Sequence, residues 1–392
     1  MISFNFDKDW NFSYSSGNAY RDRNGAAYNK TVSLPHDFMI STERTPDAPT
    51  EGAGGFFQGG IGTYEKYFLL NESQRGHQFL LLVEGSYGNT EIWINGSMAA
   101  LHHYGYTEFY ADLTKWIKFG EQNKLKIVVE NNAHPNSRWY SGSGLYRHVR
   151  LLEGGNVYLA PWSVGIQTPD LQTIQADVTL TAADASALCA PAEYEVTLSI
   201  LDQDGRTITE ETIPVTCGKE DTEKAAAQVP TSGFPGQKAP NETTCRFTIS
   251  GSDLIPWSME RPYLYTAVVQ IREANTDSEE STDSSSQVIL DTKEVRFGVR
   301  TLSFTRERGF CLNDVPVKLK GGCIHHDNGV VGSCAYDAME ASKVRLLKES
   351  GYNAIRTSHN PPSTAFLNAC DSLGMLVMDE VFDCWRAKKN PF

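Results

Sequence analysis

The sequence predicts a multidomain chain in three parts. Residues 1–155 read as an all-β sandwich or jelly roll, residues 156–297 as a small immunoglobulin-like β-sandwich, and residues 298–392 as the start of a parallel α/β domain. Three observations predict this. At 392 residues the chain is too long for one ordinary domain and long enough for two or three, each with its own core. Short apolar runs separated by Gly, Asn and charged turns fill the first 300 residues without a helical period. After residue 300, strand patterns and helix patterns alternate.

In the first part the strands are TYEKYFLL (63–70), HQFLLLVEG (77–85), TEIWING (90–96) and NKLKIVVEN (123–131). EIWI followed by Asn95-Gly96 predicts a hairpin, because Asn-Gly supplies the two positive φ angles of a type I′ turn. The second part carries ADVTLTA (176–182), YEVTLSILD (194–202), TCRFTIS (244–250), YLYTAVVQI (263–271) and VILDTKEVRF (288–297). Between the last two lies NTDSEESTDSSSQ (275–287), acidic, serine-rich and without apolar residues, which reads as a solvated, mobile loop.

In the third part VPVKLKGGCI (315–324) reads as one buried strand. The segment 337–351 reads as a helix with Tyr336, Met339, Leu346 and Leu347 on one face, Asp337 and Glu340 as a capping box, and Gly351 as the stop. YNAIRT (352–357) is a second strand. STAFLNACDSLG (363–374) is a second helix, capped by Ser363 and stopped by Gly374, and MLVMDE (375–380) is a third strand. Strands joined by helices in this way form a parallel sheet.

Composition narrows the function. The 35 basic against 48 acidic residues give a net charge of −13, which argues against nucleic acid, since that partner is held by neutralising phosphates. The opening MISFNFDKDW has neither a basic nor an apolar leader region, and no run approaches membrane-spanning length, so neither a signal peptide nor membrane attachment is expected. The eight cysteines (189, 217, 245, 311, 323, 334, 370, 384) contain no C-x-x-C pair and read as reduced thiols of a cytoplasmic protein.

Ligand sites of parallel α/β folds lie beyond the carboxyl ends of the strands. Here three successive strands end in polar groups: His325-His326-Asp327, then Arg356 to Asn360, then Asp379-Glu380 and on to Asp383 and Trp385. The histidine pair admits a metal ligand, a hydrogen-bonding group beside a polar ligand, or a structural role. Adjacent histidines point apart and no third ligand sits at helical spacing, which disfavours metal. Arg356 within a strand needs a carboxylate, either as a structural ion pair or as a clamp on a catalytic group. Ser358-His359 lacks a nucleophile elbow, so a serine hydrolase is not expected. Asp379-Glu380 offers a paired acid and base, although one of two adjacent carboxylates usually points into structure.

The run Asn353-Ala-Ile-Arg356-Thr-Ser-His359-Asn-Pro361, followed by Phe366-Leu367, Asp371, Gly374 and Asp379-Glu380, resembles the signature of glycoside hydrolase family 2. LPHDF (34–38), the segment 91–114 and RWYSGSGLYR (138–147) resemble its sugar-binding-like jelly roll. PWSMERPYLYTAVV (256–269) and FGVRTLSF (297–304) resemble its immunoglobulin-like sandwich and the lead into its barrel. RWYSGSGLYR together with DEVFDCW (379–385) is most similar to bacterial β-galactosidases.

The resemblance implies that residues 298–392 are the first three β/α units of a TIM barrel, whose full length is roughly 250 residues. It implies retaining hydrolysis of β-galactosides, with β-glucuronidase and β-mannosidase as alternatives within the family and a non-catalytic carbohydrate-binding chain as the alternative outside it. It assigns His325 and His359 to the non-reducing-end sugar subsite and Arg356 to orienting the nucleophile. Asp379 and Glu380 are expected beside the substrate. Asn360 stands where tyrosine is common, and Arg138 where some members place an aspartate that reaches the sugar, so both remain open substrate contacts. No counterpart of the magnesium ligands of some relatives occurs after Glu380, so no metal or other cofactor is expected. Both catalytic glutamates are expected beyond Phe392, since Asn-Glu occurs only at 71–72 and 241–242. The 392-residue chain is therefore expected to be truncated within the barrel and inactive alone, and a homo-oligomer is expected of the full-length protein.

Overall fold

The computed structural model describes residues 1–383 except 20–21, 24–27, 134–136, 184–191, 218–240, 252 and 275–287. The acidic loop 275–287 and Trp385 thus lie outside the described residues. The chain forms two compact units. One comprises residues 1–2, 76–78 and 153–319, and the other comprises 3–75, 79–152 and 320 onward.

In the first unit, Thr173–Ala182 is the centre of a four-stranded antiparallel sheet with Val157–Tyr158, Val164–Gln167 and Asn241–Ser250. A second sheet runs Thr207–Cys217, Ala192–Leu201, Tyr265–Glu273, Ile289–Phe297, also antiparallel. Period-2 alternation sends every second side chain inward. Ile174, Ala176, Val178 and Leu180 from the first sheet join Val196, Leu198, Ile200, Ala267, Val269 and Ile271 from the second in one buried cluster. Burial of each such aliphatic side chain contributes roughly 1.5–3 kcal/mol, which makes this row the unit's main source of stability.

In the second unit a six-stranded antiparallel sheet runs Tyr28–Val32, Trp10–Ser15, Gly60–Leu69, Gln122–Asn131, Asn89–Ile94, Ser97–His102. A four-stranded sheet, most of whose residues belong to this unit, runs Ile2–Asn5, Val149–Gly154, Gln78–Val83, Phe109–Asp112. Trp10, Phe12, Tyr64, Ile92, Ile94, Ile127 and Val129 alternate inward from the larger sheet and are fully buried. Asn95 and Gly96 have φ of 50° and 88° between paired Ile94 and Ser97, the positive-φ pair that the Asn-Gly signal predicts.

The same unit holds a parallel sheet: β1 (Gly321–Ile324), α1 (Asp337–Glu349), β2 (Ala354–Thr357), α2 (Thr364–Leu373) and β3 (Leu376–Met378). β2 lies between β1 and β3, parallel to both. Ile355 packs with Val344, Phe366, Ala369, Cys370 and Met375 on the helix-covered face, while Cys323, Arg356 and Met378 are in register on the other. Ser363 Oγ caps α2 by accepting from the Phe366 amide at 3.1 Å, and Gly374 ends the helix at φ 70°, as the sequence predicts.

Three local expectations are corrected. VPVKLKGGCI is not one strand: Val315–Pro316 pairs antiparallel with Gly309–Leu312, and only Gly321–Ile324 enters the parallel sheet. The α1 capping box does not form, because Asp337 accepts from His148 Nε2 at 3.0 Å while Glu340 is buried and accepts from Asn328 at 2.6 Å and Ser363 at 2.9 Å. The buried stripe of α1 runs through Glu340, Val344 and Leu347, leaving Leu346 half exposed. Apolarity alone could not show that a satisfied glutamate shares the inner face.

Candidate active site

Parallel β/α units present the residues after each strand along one edge. His325 follows β1, His359 and Asn360 follow β2, and Asp379 and Glu380 follow β3. His325 Nδ1 donates to the Ser358 carbonyl at 2.6 Å, so the end of β2 fixes the ring that leaves β1. His359 Nδ1 donates to the Glu380 carboxylate at 2.6 Å. Arg356 Nε donates to the other oxygen of the same carboxylate. The two histidine rings meet edge to face, 6.2 Å between centroids.

These contacts separate the two neighbouring carboxyls. Burial pulls the Glu380 pKa upward, but hydrogen bonds from Arg356 and His359 outweigh it and hold the carboxyl below its usual range. Burial pushes Asp379 up, against a 3.2 Å hydrogen bond from Thr357 Oγ1. Arg356, which the sequence left between structural pair and clamp, is ion-paired with Glu380. Arg138 donates from Nη2 alone to both carboxylate oxygens of Asp383, at 2.9 and 3.1 Å, and is largely exposed, a geometry worth about 1 kcal/mol or less. Asn360 comes to the same strand end but is buried, its amide donating to the Pro361 carbonyl at 3.2 Å.

Sequence reasoning missed how the segment 138–147 supports these strand ends. Trp139 stacks on His325, 4.9 Å between centroids and 14° from parallel, and meets His359 edge-on at 5.5 Å. Its Nε1 donates to Tyr106 Oη at 3.2 Å, within a cluster of Tyr87, Tyr104, Tyr106 and Tyr146. His326 turns into this cluster, between Tyr106 and Tyr146, and donates from Nε2 to the Ser141 carbonyl at 2.9 Å. Burial brings its pKa down to about 3, so the ring is neutral. Buried Arg147 donates to the carbonyls of Glu84, Tyr106 and Pro361 at 3.2, 3.0 and 2.9 Å.

Beneath this segment the carboxylate of buried Asp37 accepts five hydrogen bonds. The donors are the Met39 and Ser143 amides at 2.9 Å, Tyr140 Oη at 2.6 Å, and the Ser333 amide and hydroxyl at 2.9 and 3.1 Å. The signal that could have found it is an acid between His36 and Phe38 in the otherwise apolar run LPHDF. Of the two Asn-Glu pairs, Asn71 caps a short 3-10 turn and Glu72 pairs with exposed Arg75. Asn241 and Glu242 begin a strand of the sandwich in the other unit.

Residues 163–300 match the family model described as glycosyl hydrolases family 2, and residues 305–383 match that of the glycosyl hydrolases family 2 TIM barrel domain. The two stretches together cover more than half of the chain. The chain belongs to glycosyl hydrolase family 2.

This family 2 chain is 33% identical over 387 residues to a beta-galactosidase of Bacteroides ovatus, across 98% of its own length and 42% of that relative. It is 25% identical over 385 residues to a beta-glucuronidase of Bacteroides fragilis, across 96% of itself and 49% of that relative. A crystal structure of a glycosyl hydrolase family 2 member from Bacteroides cellulosilyticus superimposes with a TM-score of 0.81 and 33% identity, over all of this chain and 47% of that one. The family 2 chain thus spans less than half the length of these relatives. Its fold is the family's, with sandwich-like sheets and a partial TIM barrel. Among the described residues, no helix is long and apolar enough to cross a membrane.

Proposed function

We propose that this chain is the N-terminal part of a retaining β-galactosidase, and that the ends of β1, β2 and β3 form part of its non-reducing-end sugar subsite. In this reading residues 1–155 are the jelly roll, 156–297 the immunoglobulin-like sandwich and 298–392 the first three β/α units of the barrel. The observation that supports it is the convergence of His325, His359, Asp379 and Glu380 on one sheet edge, with Trp139 bracing both histidines. His325 and His359 would hydrogen-bond sugar hydroxyls, and Arg138 would stand at the rim. Arg356, paired here with Glu380, would also face the nucleophile when that residue is in place.

A retaining glycosidase needs a proton donor and a nucleophile about 5–5.5 Å apart on either side of the scissile bond. Glu380 and Asp383 are engaged by cations, and Asp379 issues from the same strand end. Three carboxylates from one strand end cannot straddle a sugar ring, so the reading assigns both reacting glutamates to the part of the relatives' length that this chain does not span. A second reading, β-glucuronidase, is favoured by the relatives of that name.

The test is nitrophenol release by the purified chain from nitrophenyl β-galactoside and nitrophenyl β-glucuronide. No turnover above the buffer rate is expected. Turnover that disappears in Glu380→Gln would instead make Asp379 and Glu380, with their pKa values pushed apart, a working acid and base. For the reading frame extended to a complete barrel, a kcat/KM that favours the glucuronide would overturn the galactosidase assignment.

A further inference from the structure

Below the histidines the residues Tyr146, Arg147, His326, Ser358, Asn360 and Phe366 are among those that line a cavity of about 20 Å³. Four of these six residues carry a buried polar atom without a hydrogen-bond partner: Arg147 Nε, His326 Nδ1, Ser358 Oγ and Asn360 Oδ1. Arg147, Ser358 and Asn360 are each no more than 4% exposed. Four such atoms on residues that line one cavity call for a partner there, because the large majority of buried polar groups in native proteins are paired.

The chemistry of the four atoms identifies that partner. Arg147 Nε carries a proton and can only donate. His326 donates from Nε2 to Ser141 and is held neutral by burial, so its Nδ1 is an acceptor. The Asn360 amide nitrogen faces the Pro361 carbonyl, which leaves Oδ1 as an acceptor. The Ser358 hydroxyl can donate. Two donors and two acceptors are the complement of a single water molecule. An anion would satisfy Arg147 and Ser358 but oppose His326 Nδ1 and Asn360 Oδ1, and a cation would be repelled by the guanidinium. The volume agrees, since one water needs roughly 10–15 Å³ on this measure.

We propose that this cavity binds one structural water, which accepts from Arg147 and Ser358 and donates to His326 and Asn360. The water ties the turn after β2 to the residue pair after β1 and to the segment 138–147. Its consequence falls on that turn, because the Ser358 carbonyl anchors His325 and the next residue, His359, meets Glu380. The inference concerns only these buried atoms and is independent of the reaction the strand ends serve.

The experiment is a high-resolution crystal structure of the chain grown in sodium bromide. It is paired with oxygen-17 relaxation dispersion of the chain in solution, which counts waters of long residence. Expected is one water within hydrogen-bond distance of all four atoms, no anomalous bromide peak in the cavity, and a count lower by one in Asn360→Leu. Should that variant not fold, Ser358→Ala, which removes one donor and little volume, is expected to shorten the residence time of the same water by at least tenfold. A dry cavity, a bromide ion in it, or a water count and residence time unchanged in the variants would overturn the assignment.

Discussion

Substituting Asp37 by asparagine tests whether the support beneath the strand ends is ionic. Burial pushes the Asp37 pKa above the usual carboxylate range, and the hydrogen bonds from Ser333, Tyr140 and Ser143 offset only part of that rise. The amides of Met39, Ser143 and Ser333 cannot reverse as hydroxyls can, so three of the five donors are fixed. In Asp37→Asn one oxygen becomes an NH₂ group. At Oδ1 it would face two amide donors, and at Oδ2 one amide and two hydroxyls. Leaving a buried amide donor without its acceptor costs roughly 1–3 kcal/mol, and somewhat more where the acceptor was charged. At about 2–4 °C per kcal/mol for a unit of this size, the melting temperature should fall by roughly 5–10 °C. Scanning calorimetry of wild type and variant reads this directly, and the transition of the unit built on residues 153–319 should not move. A shift of under about 2 °C would mean that Asp37 is already a neutral acid in the folded chain, which asparagine mimics, and the ionic account would fail.

Three further outcomes are expected. Hydrogen bonding to Asp7 lifts the pKa of mostly buried His148 from its ordinary 6.5 to about 9, against the opposing effect of burial. Its stabilisation is therefore complete below pH 6.5 and is lost as the pH rises through 9, at most about 3 kcal/mol. Urea titrations at pH 6 and 9.5 should show this loss in wild type and not in His148→Gln. Ser363→Ala removes both the cap on the Phe366 amide and a donor to buried Glu340, and should cost about 2–3 kcal/mol by the same titration. In an enzyme extended through the complete barrel, His359→Ala should lower kcat/KM by about 10²-fold or more, since hydroxyl contacts tighten at the transition state; an unchanged value would leave His359 a structural residue.

Much of the site was legible because strand ends write polar residues in clusters. The β2 run and its capped helix could be read almost residue by residue, since Ser363 and Gly374 carry local signals that tertiary contacts do not override. Glu340 was not legible: near a helix start it reads as half of a capping box until Asn328 and Ser363 are known to meet it. Nor was Trp139, whose stacking on His325 joins positions far apart in the chain. Local patterns record what a backbone segment can do alone. They are silent on which distant segment completes it, and here residues 3–152 are completed by those from 320 onward.

The bond between Asp37 and the Ser333 amide joins residues 296 positions apart. On a ribosome adding about 5–20 residues per second, Asp37 emerges roughly 15–60 s before its partner. Through that interval the surface built by Tyr140 and Ser143 has only part of its ligands, while the sandwich of residues 153–319 is made in between. Contacts of such separation are also the slow ones in folding, because the closure entropy is spent before the contact forms. The nascent chain must therefore keep a charged and aromatic surface open to solvent until β1 and its following loop arrive.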